Sequence, residues 1–438
     1  MPDQTSKEKK SASNYHNYCG EALAPMVRAS TTPLRTLALQ YGADFVYTEE
    51  LVDRSISETI RVVNERLGTT DYVKDTSKLS AKVRRRLARD GGPPLLLRID
   101  PRREQGRLVC QIGSGEPELA LAAAMHVHKD VSSLDINMGC PKKFSVSGGM
   151  GSALLTDPER ASRILRTLAT NVPRPVSAKI RLLPETQQTM DLLTALIERG
   201  QAKAVAIHAR RVGDPEIKPA QWNDLEEVLA LARSKFPHTR FLVNGDFYTR
   251  QEWIDFQQRT GADGVLWARP ALYNLSLFRK PPTDSATTTN GSVKYGYSSP
   301  LLMDRTTVIQ EYLQHSIRYE THYKNVKYVI AEMMNTRRTP SPRIPYLAAP
   351  QEAFTAGGQT IGLTSACHDI ESLCKLWKVD RQAYMVKDAV PVAVPTEGEH
   401  RYDDAYILRM ERGVSEPRPP SPKRAKTENA EVATKSSL

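Results

Sequence analysis

The chain has 438 residues, 40% of them hydrophobic, which is ample for a large core and ordinary for a globular protein. Its 61 Lys and Arg outnumber its 50 Asp and Glu, and the net charge of +11 suits a polyanionic partner without identifying one. No apolar run approaches the ~20 residues of a membrane helix, and the 5 cysteines, scattered without a CxxC pair, exclude a disulfide framework and a zinc site.

Residues 1–17 are polar and are expected to form a disordered tail. They lack an apolar stretch, so no secretory signal is expected there. Ala22–Val27 reads as a strand ending at Pro25-Met26, and Thr32–Tyr41 as a helix. Asp44–Tyr47 reads as a second strand with Glu49 and Glu50 just beyond its tip. Between 69 and 107 the rhythm breaks. Lys82, Arg84, Arg85, Arg86 and Arg89 bunch together before Gly91-Gly92-Pro93-Pro94, which reads as an inserted basic helix or loop.

The alternation then resumes. Strands are expected at Leu108–Ile112, Ser133–Met138, Val176–Ile180, Ala204–His208, Phe241–Asn244 and Gly264–Trp267. Helical patterns fall between them at Glu116–Lys129, Pro158–Ala169, Thr186–Glu198, Pro219–Lys235 and Thr249–Thr260. Strands alternating with helices in this number indicate a (β/α)8 TIM barrel over 18–280. An open doubly wound sheet is the alternative, but no G-x-G-x-x-G follows the first strand. A linker rich in Pro, Ser, Thr and Gly spans 281–300. Val308, Ile309, Tyr312, Leu313, Val326, Val329, Ile330 and Met333 then keep helical spacing, so 301–385 reads as a smaller all-helical domain. Residues 386–438 read as a disordered basic tail containing Lys423, Arg424 and Lys426, a short cluster of the nuclear-import type. A cytoplasmic or nuclear location is expected, with a mitochondrial one left open.

The most informative stretch runs from Leu134 to Leu155. Leu134, Ile136 and Met138 alternate with Asp135 and Asn137, and the strand ends at Gly139-Cys140-Pro141 because Pro141 has no backbone donor. Gly148, Gly149 and Gly151 make a turn, and Asp157-Pro158 opens a helix. A single cysteine thus sits on a loop just past the C-terminal end of a strand, where parallel α/β barrels carry their chemistry. The other strand tips supply Pro25-Met26, Gln111, Lys179 with Arg181, His208, Asn244-Gly245-Asp246 and Ala268-Arg269. The set is polar and cationic, and suits a phosphorylated ligand with a flat heteroaromatic ring.

Asn137-Met138-Gly139-Cys140-Pro141-Lys142-Lys143, followed by Gly148-Gly149-Met150-Gly151-Ser152-Ala153-Leu154-Leu155, is similar to the signature of the tRNA-dihydrouridine synthases. The Lys142-Lys143-Phe144-Ser145-Val146-Ser147-Gly148-Gly149-Met150-Gly151 version resembles their eukaryotic type 2 branch, which acts on position 20 of the tRNA D-loop. The resemblance implies a fungal-like form, expected to lack the double-stranded-RNA-binding domain of animal relatives. The resemblance implies an oxidoreductase that binds FMN, takes electrons from NADPH or NADH, and reduces the C5=C6 bond of uridine. It implies that Pro25, Met26 and Val27 lie along the flavin, that Gln111 and Lys179 bond its edge, and that His208 approaches the ring or its phosphate. Asn244, Gly245, Asp246, Ala268 and Arg269 would hold the phosphate. Cys140 would be the proton donor, with Asn137 on the uracil and Arg181 on the uracil or a nearby phosphate. Tyr319–Tyr328 also resembles the branch's helical tRNA-binding domain, and Arg318, Lys324 and Lys327 are expected on phosphates. A monomer without a metal is expected. A small-molecule flavin oxidoreductase and a tRNA-binding chaperone without catalysis stand as alternatives.

Overall fold

The computed structural model describes residues 18–77, 79–89, 94–215, 217–280, 288–289, 292–293, 302–334 and 357–386. The expectations for 1–17, for most of 281–300, and for the tail with Lys423, Arg424 and Lys426 fall outside these residues.

Eleven strands are used below: β1 (Gly20–Leu23), β2 (Phe45–Val52), β3 (Thr59–Asn64), β4 (Thr69–Lys74), β5 (Leu95–Ile99), β6 (Leu108–Gly113), β7 (Ser133–Asn137), β8 (Val176–Arg181), β9 (Ala204–His208), β10 (Arg240–Asn244) and β11 (Gly264–Trp267). Eight of them close a parallel barrel in the order β1-β11-β10-β9-β8-β7-β6-β2, so the chain has the TIM-barrel architecture and not an open sheet. The barrel interior is filled, not hollow. Phe45, Tyr47 and Tyr18 are offset by Ala22, Ala24, Ala204 and Ala206, so large rings from one arc fill the space that alanines leave on others. The Tyr18 hydroxyl donates to the carbonyl of Pro175 at 3.2 Å and closes the floor.

Two strand ends differ from expectation. β1 stops at Leu23 because Pro25 has no N–H, and the chain turns when Ala29 and Ser30 donate to the Met26 carbonyl. β2 runs on to Val52. A register shift between Tyr47 and Glu50 lets it re-pair with β6, Glu50 opposite Gln111 and Val52 opposite Gly113. Glu49 and Glu50 therefore belong to the strand and not to a loop beyond it.

The insert between β2 and β6 is also more than a basic helix or loop. The Arg-rich run does form a helix, Ala81–Arg89, whose residues 81–86 are exposed. It is carried by an antiparallel sheet, β3-β4-β5, that begins before residue 69. The sheet packs on helix Pro117–Val127. Tyr72 donates to Asp130 at 2.5 Å, and Thr59 meets His126 at 2.9 Å.

Helix Thr32–Tyr41 is buried at every residue except Gln40. A helix buried all round needs cover on both sides. The barrel supplies one side, and helix Arg305–Arg318 supplies the other through Thr36–His315 at 2.9 Å and Tyr41–Glu311 at 3.0 Å. Helices Tyr323–Met334, Gly357–Ala366, Ile370–Trp377 and the short Arg381–Tyr384 complete the described helical region. No helix among the described residues is long and apolar enough to cross a membrane.

Candidate active site at the barrel mouth

The C-terminal strand ends converge as barrel geometry requires. The loop after β7 is shaped by Asn137, whose Oδ1 accepts from the N–H groups of Gly139 (3.0 Å) and Cys140 (3.2 Å). Arg181 on β8 clamps the same turn, its Nε donating to the Gly139 carbonyl at 2.7 Å. The Cys140 carbonyl accepts from Ser152 at 2.9 Å. Gly151, at φ +58°, allows this closure: a Cβ there would stand 2.5 Å from the Cys140 carbonyl oxygen. Cys140 itself is half-buried. Burial pushes its thiol up. The Lys142 backbone and the Ser145 hydroxyl pull it back, and Glu50 adds to the push.

Beneath this loop lies a buried polar chain. Gln111 on β6 donates Nε2 to Asp135 at 2.8 Å, and Ser177 donates to the other Asp135 oxygen at 2.6 Å. Burial raises the Asp135 carboxyl to about 6 against the pull of those two bonds and of Lys179. Burial and Arg181 together push the Lys179 ammonium down to about 8, opposed by Asp135, Cys140 and Glu50. Sequence reading set Asp135 aside as a polar neighbour of the cysteine. Its alternation with Leu134 and Ile136 already put it on the inner face.

His208, at the end of β9, is held well below the usual imidazole range, first by burial and then by Lys179, Arg181, Arg210 and Arg269. It is therefore a neutral ring within a group of cations. Arg210 and Arg269 share one carboxylate, Asp246, at 2.6 Å each, and Asp246 adopts φ +54°, which Asp tolerates better than most residues. Asp246 also accepts from the Ala220 N–H at 2.8 Å. Arg210 was missed in the sequence because it lies two residues past β9. The two arginines, Asp246 and His208 form one cluster with Asn244 and Gly245, and Asn244 is anchored through Nδ2 to the Leu266 carbonyl at 2.8 Å. Pro25 and Met26 are half-buried after β1, while Val27 is 55% exposed. Ala268 leads into the short helix Arg269–Tyr273 after β11.

The cations expected on RNA are placed differently from one another. Lys324 is exposed and Arg318 half-buried, whereas Lys327 is committed to the carbonyls of Ser365 (2.9 Å) and Cys367 (3.0 Å). Lys327 thus ties down the end of helix Gly357–Ala366, so it holds the fold before any phosphate. Among the described residues no cluster of His, Cys, Asp and Glu could hold a metal ion.

A closed (β/α)8 barrel with a cysteine loop at the C-terminal strand ends has the architecture of the barrel enzymes, which carry their chemistry at that face. Within that class, residues 22–342 match the family model of the dihydrouridine synthases, and the chain belongs to that family. It is 34% identical over 328 residues to the tRNA-dihydrouridine(20) synthase [NAD(P)+] of Schizosaccharomyces pombe, covering 73% of this chain and 60% of the relative. It is 32% identical over 329 residues to the protein of that name from Saccharomyces cerevisiae, covering 72% and 78%. The tRNA-dihydrouridine(16/17) synthase of Schizosaccharomyces pombe is 29% identical over 259 residues, covering 59% and 57%.

Proposed function

We propose that this chain is a tRNA-dihydrouridine(20) synthase that uses FMN and NAD(P)H, with Cys140 as the proton donor. The observation that carries the reading is the Cys140 loop, fixed by Asn137 and Arg181 at the rim of a cationic barrel mouth, in a chain of this family.

The residues present fit FMN. The cations around a neutral His208 suit a phosphate dianion, and Gly245, at φ +126°, brings bare backbone close against His208, where a Cβ would stand 3.2 Å from the Ala220 Cβ and 3.3 Å from His208. On this reading Asn244, Gly245, Asp246, Ala268 and Arg269 hold the phosphate end. Pro25, Met26 and Val27 line the ring, and Lys179 bonds its edge. One Gln111 Nε2 hydrogen goes to Asp135, which orients the amide so that Gln111 bonds the ring edge with its other groups. Bound FMN, reduced by NAD(P)H, supplies the hydride for C6 of uracil. Cys140 holds the proton for C5 at Sγ, and a thiol kept protonated is suited to that task. The Asn137 carbonyl oxygen is taken by the loop, so only its amide nitrogen remains for uracil. Arg181, tied to the carbonyls of Gly139 and Arg211, meets uracil or a nearby phosphate. The target base must leave its stack to reach this depth. Lys324 and Arg318 serve tRNA phosphates from the helical region, and the D-loop presents the substrate uridine.

The test is direct. Purified protein should be yellow and release FMN on denaturation. With NADPH it should convert uridine 20 of an unmodified tRNA transcript to dihydrouridine, mapped by reverse-transcription stops or mass spectrometry. A colourless protein that does not take up FMN, or modification confined to another position, would refute the reading.

A further inference from the structure

The turn after β1 holds a residue in a conformation its side chain does not favour. The Ala29 N–H donates to the Met26 carbonyl at 3.0 Å, closing a β-turn with Arg28 at its third position. Arg28 there adopts φ +67°. Turns with a positive φ at that position normally place glycine or asparagine there, because a larger side chain crowds its own backbone. Neighbouring bonds hold the arginine in place. Its backbone N–H donates to Glu49 Oε1 on β2. Beside it, Ser30 Oγ accepts from the Met26 N–H at 3.1 Å and donates to the Ala24 carbonyl at 2.8 Å. Backbone strain kept up by its surroundings is a pointer to use. The side chain shows what the use is. The Arg28 guanidinium lies 4.0 Å from the ring centre of Tyr328, on helix Tyr323–Met334 of the helical region. Among the described residues it makes no hydrogen bond or ion pair, and Glu49 takes only the backbone N–H. Arg28 is exposed and Tyr328 half-buried. The same helix is seated on the turn through Asn325, whose Nδ2 donates to Thr31 Oγ1 at 3.4 Å. Lys324, four residues before Tyr328 and so on the same side of the helix, is exposed as well.

We propose that Arg28, stacked on Tyr328, is a phosphate site for the RNA strand that carries the substrate uridine into the barrel mouth. The inference rests on the reading of the chain as a tRNA-modifying enzyme and names a residue that takes hold of the strand. A guanidinium with one face on an aromatic ring keeps the N–H groups of its edge for a ligand. The ring fixes its plane, so two parallel bonds to one phosphate cost little further ordering. The location suits the task. Arg28 follows Met26 by two residues, so it stands at the rim where Pro25 and Met26 lie along the ring of the cofactor. A uridine drawn out of its stack brings its own backbone to that rim, and the flanking phosphates must be met there. The strained turn directs the Arg28 side chain outward to the helical region. The exposed cations Arg28 and Lys324, with Tyr328 between them in the fold, then line one path from the mouth along helix Tyr323–Met334. The competing account is a staple, in which the Arg28–Tyr328 contact only joins the turn to the helix. A staple has no need of a strained backbone or of unoccupied donors.

The experiment measures binding of an unmodified tRNA transcript to the FMN-loaded protein by fluorescence anisotropy over a range of KCl concentrations, alongside thermal melts. Arg28→Gly removes the guanidinium and relieves the backbone at the same time. It should weaken tRNA binding about tenfold at physiological salt and lower the log–log salt slope by about 0.7–0.9, the share of one phosphate. Its melting temperature should hold or rise, since glycine adopts the turn without strain. Arg28→Lys keeps the charge without the planar fork, so it should restore the slope and only part of the affinity. Tyr328→Leu removes the platform but no charge. It should loosen binding about two- to fivefold with the slope retained, and Tyr328→Phe, which keeps the ring face, should bind like the unaltered protein. A salt slope unchanged in Arg28→Gly, or a lowered melting temperature with tRNA affinity intact, would overturn the inference and make the pair a staple, with the enzyme reading untouched. An unaltered, FMN-loaded protein that does not bind tRNA would instead sink the tRNA reading, and this inference with it.

Discussion

Two regions of this protein bury charge, and they do so in opposite ways. At the seam where the inserted sheet, helix Thr32–Tyr41 and the helical region meet, every named charge has its complement. Arg35 meets Glu104 at 2.6 Å with both side chains essentially inaccessible, and donates to the carbonyls of Ser30 and Arg98. Arg98 meets Asp71 at 2.5 Å and also donates to the Tyr319 carbonyl. Tyr319 returns a bond to Asp100 at 2.7 Å. At the barrel mouth the described charged groups crowd one another and are perturbed. Arg210 and Arg269 divide one carboxylate, His208 is held neutral among cations, Lys179 is pushed down and Asp135 up. Balanced buried charge holds parts together. Crowded buried charge that shifts its own titration is retained where it serves a ligand, which is why perturbed groups mark a site.

The comparison can be broken first at Cys140. As general acid it supplies a factor of ~10²–10⁴, or roughly 3–5 kcal/mol of barrier. Cys140→Ala should bind FMN and tRNA and accept electrons from NADPH at the normal rate, while reoxidation by tRNA falls by that factor. Cys140→Ser, with a far higher pKa, should recover little. Stopped-flow oxidation of pre-reduced protein separates the steps, and rapid reoxidation of Cys140→Ala with dihydrouridine formed would end the assignment.

The seam should respond in stability instead. Glu104→Ala leaves Arg35 buried without its ion partner and should cost about 3–5 kcal/mol in urea unfolding. The double change Arg35→Met with Glu104→Leu removes both charges and should recover most of that loss. Turnover per folded molecule should be unchanged in either. If the double variant were as unstable as the single one, the hydrogen bonds of Arg35 to Ser30 and Arg98, not the charge pair, would be what the seam depends on.

The barrel half of this contrast was legible in the sequence. Strict alternation in Leu134–Met138, and apolar runs such as Ala204–Ile207 followed by a polar tip, follow from burying one or both faces of a strand. The strand-end residues were legible for the same reason, since a parallel barrel sends all its tips to one rim. The seam was not legible. β3, with Thr59, Val62 and Asn64 inward, and β4, with Thr69, Thr70, Asp71 and Tyr72 all buried, show no clean apolar alternation. Their buried polar groups are satisfied by residues distant in sequence, such as Arg98 and His126. Glu50 failed for a related reason: a bulge changes which face a residue takes, and bulges have no sequence signature here. Lys327 looked like a phosphate contact because its partners are backbone carbonyls, which leave no mark in the sequence.

A pH experiment sharpens the seam further. His315 bonds Thr36 at 2.9 Å and Gln40 at 3.1 Å, and burial, with Arg103 and Arg318, pushes it down to about 4. The unfolded chain, titrating near 6.5, takes up the proton first. His315 thus contributes full stability above about pH 6.5, and that contribution is lost as pH falls from about 6.5 through about 4, up to roughly 3 kcal/mol in all. His208 should act in the same sense. His315→Gln should remove its own share and flatten the slope of unfolding free energy against pH across this window. An unchanged slope would mean that His315 is charged in the folded protein.

The smallest effect separates a cation that belongs to the fold from one that belongs to RNA. Lys327 and Lys324 lie three residues apart on one helix, yet Lys327 holds the carbonyls of Ser365 and Cys367 while Lys324 is exposed. A lysine on a phosphate releases a counterion when RNA binds, so its removal lowers the log–log salt slope of tRNA affinity by about 0.7–0.9. Lys324→Ala should show that decrement, a modest rise in tRNA KM and no change in melting temperature or in flavin reduction by NADPH. Lys327→Ala should do the reverse, lowering the melting temperature by a few degrees for a loss of about 1 kcal/mol while leaving the salt slope within error. Fluorescence anisotropy of labelled tRNA from 50 to 300 mM KCl, alongside thermal melts, distinguishes the two. If Lys324→Ala left the slope unaltered, this face of the helical region would be a solvated surface. The RNA grip would then pass to Lys82 and Arg85 on the exposed helix of the insert, where the same measurement can be repeated.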